Sequence, residues 1–92
     1  MSEVIDVPSA QRFEIRVDGE VAGFVTYRLA EDVVAYTHAE VDDAFEGQGI
    51  GSALAREALE GARSAGMRVR PDCPFVADYM DAHPEYQDLL AR

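Results

Sequence analysis

Apolar and polar residues alternate along the first part of the chain. Residues Phe13 to Val17, FEIRV, alternate apolar and charged side chains, which is typical of a half-buried strand. An Asp-Gly turn at 18–20 leads into a second apolar run, Val21 to Ala30. A further polar turn then precedes Val33 to Val41, which is rich in β-branched and aromatic residues. These runs predict three strands in an antiparallel meander.

The spacing of apolar residues changes to a helical period after residue 50. An amphipathic helix is predicted over Ile50 to Ala65, and Gly66 is a suitable left-handed stop just beyond it. Residues 67–71 predict a short strand, and a second helix begins at Pro74 and ends near the His-Pro pair at 83–84. A strand–helix–strand connection of this length requires a parallel strand pair and a right-handed crossover.

The predicted fold class is therefore α/β. It is a small mixed sheet, with an antiparallel N-terminal meander followed by a parallel pair around the central helix. The chain has 92 residues, which is short for two domains, so we expect residues 3–92 to form a single domain. Hydrophobic residues make up 48% of the chain, which is enough for one modest core.

The charge balance is strongly acidic. There are 18 acidic and 8 basic residues, all of the basic ones arginine, and the formal net charge is −10. This charge repels phosphate backbones and anionic lipids, so we expect no nucleic-acid and no membrane-surface partner. It attracts cations such as amines or basic protein segments, although the acids also serve simply to keep a small protein soluble. The absence of lysine excludes lysine Schiff-base chemistry.

The cysteine content and the N-terminal sequence bear on the compartment. The chain has a single cysteine, Cys73, which cannot form an internal disulfide. The first residues, MSEVIDVPSAQRF, lack the apolar core of a signal peptide, and no stretch approaches the length of a membrane span. We therefore expect a cytoplasmic protein.

Three glycines, Gly47, Gly49 and Gly51, stand directly before the long predicted helix. Backbone amides at a helix N-terminus bind anions, and glycines let them approach a ligand closely. The alternative is that the glycines only allow a sharp turn from strand to helix. A phosphate loop of the GxxxxGK[ST] type needs a lysine, and GQGIGS lacks the third glycine of GxGxxG. Nucleotide hydrolysis and dinucleotide binding are therefore disfavoured.

The segment EGQGIGSAL, which follows a strand ending in AEV, resembles the acetyl-CoA loop of the GNAT superfamily of N-acetyltransferases. That loop reads Arg/Gln-x-x-Gly-x-Gly/Ala, and Gly49 and Gly51 fall on its two small positions. The chain is more specifically similar to the very small, single-domain members. HAEV at 38–41, CPF at 73–75 and HPEY at 83–86 match them in order, and the resemblance extends roughly from residue 12 to 90.

The resemblance implies that acetyl-CoA is a co-substrate and that backbone amides hold its pyrophosphate. No metal is implied, and the adjacent Asp42 and Asp43 lack further ligands for one. The loop departs from the family pattern at Glu46, where a carboxylate opposes the pyrophosphate, so we expect Glu46→Arg to tighten CoA binding. The predicted CoA-binding residues are Val41, Gly47, Gln48, Gly49, Ile50, Gly51 and Ser52.

The strand before the loop carries two candidate catalytic residues, His38 and Glu40. Strict alternation places Tyr36, His38 and Glu40 on one face of this strand. Histidine accepts and releases protons near neutral pH, so His38 is a candidate acceptor for a proton from an ammonium group or a thiol. The alternative is an exposed polar pair on the surface of the sheet.

Cys73 is the third candidate catalytic residue. It precedes a helix, whose N-terminus favours a thiolate, and it lies across from the strand of His38 if the two parallel strands are neighbours. A Cys–His pair would then either accept the acetyl group covalently or activate the amine for direct attack. The alternative is that Cys73 is a small buried apolar residue. By resemblance to larger GNAT enzymes, Tyr79 is a weaker candidate for protonating the leaving thiolate.

The expected function is that of a minimal acetyl-CoA-dependent N-acetyltransferase acting on an unidentified amine acceptor. The alternative is a non-catalytic acetyl-CoA-binding or interaction module. The sequence leaves the acceptor and the oligomeric state open.

Overall fold

The computed structural model describes residues 2–45 and 47–91, so Glu46 and the prediction made for it lie outside the described residues. The five strands are β1 Ser2–Val7, β2 Arg12–Val17, β3 Glu20–Ala30, β4 Val33–Val41 and β5 Arg68–Pro71. The α-helices are α1 Ile50–Ser64 and α2 Pro74–Ala82. Short 3-10 helices span Pro8–Ala10, Asp43–Phe45 and Pro84–Leu89.

The sheet has the order β1-β2-β3-β4-β5. Strands β1 to β4 pair antiparallel, and β4 pairs with β5 in parallel after the crossover through α1. The predicted α/β fold with its mixed sheet is therefore confirmed. The sequence pattern missed β1, an edge strand that pairs with β2 from Ser2 opposite Val17 to Val7 opposite Arg12. Its two central apolar residues are adjacent rather than alternating, so the pattern lacks the usual strand signature.

A β-bulge interrupts β4 in its middle. His38 and Tyr36 pair with two consecutive residues of β3, so that Thr37 is the extra residue between them. Beyond the bulge the alternation is reversed: Tyr36 is buried on the helix side, whereas His38 and Glu40 are exposed and Val41 packs against the core. The predicted placement of Tyr36 on the same face as His38 and Glu40 is therefore wrong. Strict alternation holds only where the ladder is regular.

The core forms between one face of the sheet and α1. The buried positions of α1 recur at helical spacing, and they are Ile50, Leu54, Ala55, Ala58, Leu59 and Ala62. Tyr36, of which only 1% is exposed, crosses this layer and donates a hydrogen bond from its hydroxyl to the Ala58 carbonyl at 2.6 Å. A buried hydroxyl needs such a partner, so this bond fixes the distance between β4 and α1.

The C-terminal segment closes the core beside β5. The Tyr86 hydroxyl donates to the Glu60 carboxylate at 2.7 Å, and Arg63 pairs with Asp88 at 3.0 Å. Both contacts join the last 3-10 helix to α1. Among the helices of residues 2–45 and 47–91, none is both long enough and apolar enough to cross a membrane.

Candidate functional site

The glycine loop forms an open entrance to α1. Gly47 and Gly49 have positive φ angles of 80° and 72°, which favour glycine over any other residue. Gly49 is the N-cap of α1, and among the described residues no side chain makes a capping hydrogen bond there. A Cβ atom built on Gly47 or Gly49 would meet no atom within 4 Å, so neither side-chain position is crowded. The first-turn N–H groups of α1 are thus available to a ligand.

The N-terminus of α2 approaches the N-terminus of α1. A Cβ atom built on Gly51 would lie 3.1 Å from Cε1 of the Phe75 ring and 3.7 Å from a methyl group of Val41. Gly51 is therefore the residue that allows the two helices to come so close. Each helix N-terminus carries about half a positive charge, which favours an anion over a cation near it.

Strands β4 and β5 separate at this same end of the sheet. Their pairing ends with Tyr36 opposite Pro71, and the Cys73 N–H then donates to the Tyr36 carbonyl at 3.0 Å. Beyond that bond β4 continues to Val41 while the chain turns away into α2, whose N-cap is Cys73. We call this opening between β4 and Cys73 the fork. Beyond Tyr36, this edge of β4 pairs with no strand among the described residues.

Cys73 is buried, with 4% of its surface exposed, and it belongs to the hydrophobic core. It is a free cysteine. Within the described part of the chain no hydrogen bond joins Cys73 to His38. The structure thus places Cys73 at the fork, as a neighbour of the strand that carries His38, but it does not form the direct Cys–His pair that we considered. The bulge in β4 accounts for this, because it turns His38 to the other face of the sheet.

His38 and Glu40 form a pair on the exposed face of β4. The Nε2 atom of His38 lies 2.8 Å from Oε2 of Glu40, and their side chains are 60% and 63% exposed. The Phe24 ring on the neighbouring strand lies 6.1 Å from the imidazole, measured between centroids. Phe24 was not among the candidates from the sequence. Its pairing opposite Glu40 places it on the same face of the sheet as His38.

The remaining residues predicted to bind CoA differ in how exposed their side chains are. Gln48 and Ser52 are exposed beside the helix N-terminus, where their side chains are free to reach a ligand. Ile50 is 6% exposed and Val41 is half-buried, so both side chains pack into the core and only their backbone faces the loop.

Tyr79 and His83 form a stacked pair at the end of α2. Their ring centroids are 3.9 Å apart with an interplanar angle of 15°, and Nδ1 of His83 lies 2.8 Å from the Tyr79 carbonyl oxygen. The imidazole is assigned as the donor in that bond, because a carbonyl oxygen only accepts. The His83 N–H also bonds the Met80 carbonyl, so His83 ends the helix. These contacts support a structural role for the HPEY segment.

The acids after β4 close a turn. Oδ1 of Asp42 accepts a hydrogen bond from the Ala44 N–H at 2.9 Å. Over the described residues, no three histidine, cysteine, aspartate or glutamate side chains are grouped so that they would hold a metal ion.

Residues 12–89 match the family model described as GCN5-related N-acetyl-transferase. No curated protein shows significant sequence similarity to the chain. Among solved structures, a GCN5-like protein from Staphylococcus aureus is 24% identical with a TM-score of 0.73, and the alignment covers 97% of this chain and 87% of that one. At this level of identity, the likeness concerns the fold.

Two larger enzymes share the same fold. The ribosomal-protein-S18-alanine N-acetyltransferase from Escherichia coli is 18% identical with a TM-score of 0.65, over 77% of this chain and 49% of its own. An aminoglycoside acetyltransferase from an uncultured soil metagenomic sample, solved in complex with sisomicin, is 19% identical with a TM-score of 0.63, over 88% and 59%. The chain therefore spans only about half the length of these two enzymes.

Proposed function

Because the chain belongs to the GCN5-related N-acetyltransferase family, we propose that it transfers the acetyl group of acetyl-CoA to a primary amine at the fork. The observation that carries this proposal is the meeting of two helix N-termini beside the point where β4 and β5 separate. Acetyl-CoA carries a charged pyrophosphate and a thioester, joined by a linker. Helix amides bind the charge of the pyrophosphate, and an open strand edge next to them accommodates the linker that leads to the thioester.

The loop fits the anionic part of acetyl-CoA. We propose that the uncapped amides at the start of α1 hold the pyrophosphate, with the exposed Gln48 and Ser52 side chains as further donors. The open surroundings of Gly47 and Gly49 support this, because a Cβ atom built on either residue would meet no atom within 4 Å. The proposed binding residues are those of the sequence analysis: Val41, Gly47, Gln48, Gly49, Ile50, Gly51 and Ser52.

The His38–Glu40 pair supplies the proton chemistry. An acceptor amine has to lose a proton before its nitrogen attacks the acetyl carbonyl, and we propose that His38 accepts that proton, directly or through water. Glu40 orients the imidazole through the 2.8 Å contact. The C–N bond forms, the C–S bond breaks, and the released thiolate of CoA takes up a proton.

We propose that Cys73 lies beside the acetyl thioester rather than beside the acceptor amine. Its thiol is at the N-cap of α2, and its N–H is already bonded to the Tyr36 carbonyl at the fork. Since no hydrogen bond links it to His38 within the described residues, we favour direct attack by the amine, with Cys73 in contact with the acetyl thioester. Covalent acetylation of Cys73 remains the other route, and the two routes give different products on the protein.

An amine that is cationic in solution suits the acidic protein. The net charge of −10 attracts such an acceptor before it loses its proton. Structural neighbours act on quite different amines, since one is named for the alanine of a ribosomal protein and another was solved with an aminoglycoside. The proposal therefore stops at a primary amine, small or at the end of a peptide.

Calorimetry with acetyl-CoA and a thiol-release assay with a panel of amines test this function. The panel contains spermidine, a peptide with an N-terminal alanine, and sisomicin. We expect acetyl-CoA to bind and at least one amine to accelerate thiol release. Binding without any amine-dependent release would instead support the non-catalytic acetyl-CoA-binding module, and no binding at all would contradict both functions.

Cys73→Ala and intact-protein mass spectrometry separate the two routes for Cys73. Under direct attack, the wild-type protein incubated with acetyl-CoA alone gains no acetyl group, and the variant binds acetyl-CoA but turns over more slowly. A stable mass increase of one acetyl group, absent from Cys73→Ala, would establish the covalent route. Unchanged turnover of the variant would remove Cys73 from the mechanism.

A further inference from the structure

A second pocket lies at the far end of α1 from the glycine loop. It has a volume of about 190 Å³ and opens between strands β1 to β4 and the last turns of the helix. Three aromatic rings, one carboxylate and several aliphatic side chains line it. The chemistry proposed above uses none of these groups. The lining residues that matter here are Asp6, Phe13, Tyr27, Tyr36, Leu29 and Met67.

The aromatic rings meet at an angle. The centroids of Phe13 and Tyr27 are 5.5 Å apart with an interplanar angle of 51°, and those of Phe13 and Tyr36 are 6.4 Å apart at 53°. Three rings that are tilted against one another thus line one cavity. Aromatic faces attract cations, and an organic ammonium also gains from the apolar contact.

Asp6 adds a negative charge to the same wall. Its Oδ1 atom accepts a hydrogen bond from the Tyr27 hydroxyl at 2.6 Å, and its Oδ2 atom makes no hydrogen bond to any described residue. Burial and this contact with Asp6 raise the pKa of Tyr27 to about 12, so the hydroxyl stays protonated at neutral pH and keeps donating. The carboxylate is therefore oriented by one oxygen while the other is free for a ligand.

The surroundings of the pocket favour a positive ligand further. The C-terminal end of α1 lines the pocket through Ala62, in the last turn, and Ala65, the C-cap. A helix C-terminus carries partial negative charge, which attracts a cation. No arginine is among the described residues that line the pocket. Arg63, the basic residue of this last turn, is bonded instead to Asp88 and to the Glu85 carbonyl.

We propose that this pocket binds a small ammonium cation with short apolar substituents, held by Asp6 and by the rings of Phe13 and Tyr27, with the buried Tyr36 behind them. Leu29, which is 59% exposed, and Met67 contact its apolar groups at the mouth. The pocket is separate from the glycine loop, because the 15 residues of α1 place its two ends roughly 20 Å apart. Tyr36 reaches both regions: its side chain lines the pocket, whereas its carbonyl accepts the Cys73 N–H at the fork. Occupancy of the pocket does not depend on acetyl transfer.

Choline and its uncharged carbon isostere, 3,3-dimethyl-1-butanol, are the probes. They have nearly the same shape and differ in charge, and the quaternary nitrogen of choline cannot accept an acetyl group, so binding is read independently of the proposed activity. Amide shifts are followed by NMR during titration. We expect choline to shift Leu29, Ala62, Ala65 and Met67 and to leave Gly47 to Ser52 unchanged, and the isostere to bind roughly tenfold more weakly or less.

Asp6→Asn and Glu3→Gln form the matched pair of variants. The first removes the carboxylate charge and keeps an oxygen for Tyr27, whereas the second removes the same charge from the same strand outside the pocket. We expect Asp6→Asn to weaken choline binding roughly tenfold and Glu3→Gln to leave it unchanged. Equal binding of the isostere, or equal effects of the two variants, would overturn the proposal.

Ala65→Leu provides a test that leaves the Asp6–Tyr27 contact in place. Ala65 is exposed at the mouth, so a leucine there blocks the entrance without entering the core. Ser64→Leu adds the same side chain at an exposed neighbour outside the pocket. We expect only Ala65→Leu to abolish the choline-induced shifts, and undiminished shifts in that variant would reject this pocket as the site.

Discussion

The imidazole of His38 and the carboxylate of Glu40 meet at 2.8 Å on the sheet face opposite the buried Tyr36. The bulge at Thr37 creates this arrangement, because it moves His38 to the open side while the earlier part of β4 stays in the core. The proposed proton acceptor therefore lies on the open face of β4, whereas Tyr36 lies on the core face of the same strand. An acceptor amine that approaches from the open face reaches His38 without crossing the core.

His38→Gln tests this placement. The glutamine retains a polar side chain of similar length but cannot take up a proton, so we expect kcat to fall by about 10²- to 10⁴-fold. The dissociation constant of acetyl-CoA is expected to stay constant, because His38 is not among the residues proposed to hold its pyrophosphate. Glu40→Gln should reduce kcat less, since the imidazole remains, and Glu20→Gln, an exposed acid at the start of β3, serves as the control. A loss of acetyl-CoA affinity equal to the loss of kcat would contradict the assignment.

Gly51→Ala and Gly61→Ala form a matched pair within α1. In both cases the new Cβ atom meets a phenylalanine ring, at 3.1 Å from Phe75 and at 3.2 Å from Phe13. The helix propensity of alanine offsets the crowding, so we expect each free energy of unfolding to change by only about 1 kcal/mol.

Only the Gly51 substitution pushes the two helix N-termini apart. Calorimetry should therefore show weaker acetyl-CoA binding for Gly51→Ala and wild-type binding for Gly61→Ala. If both variants bound like the wild type, the approach of Phe75 to Gly51 would have no part in ligand binding.

The sequence pattern predicted most of the fold because the local periodicity of apolar residues agrees with the way in which the strands pair and the helices pack. The bounds Val33 to Val41 and the start of α1 at Ile50 were confirmed, since β-branched residues and a helical period of apolar residues mark them clearly. Strand β1 was missed, because an edge strand is defined by its partner β2 rather than by its own alternation.

The candidate site was only partly predictable. The glycines before the helix can be recognised from the local sequence. The bulge at Thr37 depends on how β4 pairs with β3, which the sequence of one strand alone does not show. The contact of Phe75 with Gly51 joins residues far apart in the chain, and it follows from the packing of two helices. This is why His38 and Glu40 were correctly expected to lie together but wrongly grouped with Tyr36.

Glu14 forms a buried charged contact on the open face of the sheet. Its side chain is 7% exposed and accepts hydrogen bonds at 2.7 Å from Nε of Arg12 and from Nη2 of Arg16. These bonds, with Arg16 the stronger influence, lower the pKa of Glu14. Hydrogen bonds to a charged group contribute about 1.5–3 kcal/mol each, so we expect Glu14→Gln to lower the free energy of unfolding by roughly that amount at neutral pH.

The effect of Glu14→Gln depends on pH with a defined sign. Because the pKa is lower in the folded state, the contribution is complete above the unfolded value of 4.5 and is lost as pH falls through the folded value. Denaturant titrations of both proteins should therefore converge in acid. Glu57→Gln, which breaks an exposed pair with Arg56 at 3.6 Å, should change stability by less than about 1 kcal/mol at any pH. Parallel curves for Glu14→Gln and wild type would contradict the prediction.

The raised pKa values of Tyr27 and Tyr86 predict that the folded protein loses stability in alkali. The contact with Glu60, followed by burial, raises the pKa of Tyr86 to about 12, and burial followed by the contact with Asp6 does the same for Tyr27. A raised folded pKa means that the contribution is complete below the unfolded value of 10.0 and is lost as pH rises through about 12. Folding should therefore weaken steeply within this window.

Tyr86→Phe and Tyr27→Phe each remove one ionisable hydroxyl, so each variant should lose less stability than the wild type between about pH 9 and about pH 12. At neutral pH both should be less stable than the wild type, because the hydrogen bonds to Glu60 and Asp6 are gone. Tyr79→Phe is the control for the loss at neutral pH, since among the described residues the Tyr79 hydroxyl makes no hydrogen bond. Burial raises the pKa of Tyr79, so this variant should also lose less stability in alkali than the wild type. Denaturant midpoints across this pH range measure the effect. An alkaline loss that is the same in Tyr27→Phe, Tyr86→Phe and the wild type would show that other groups control it.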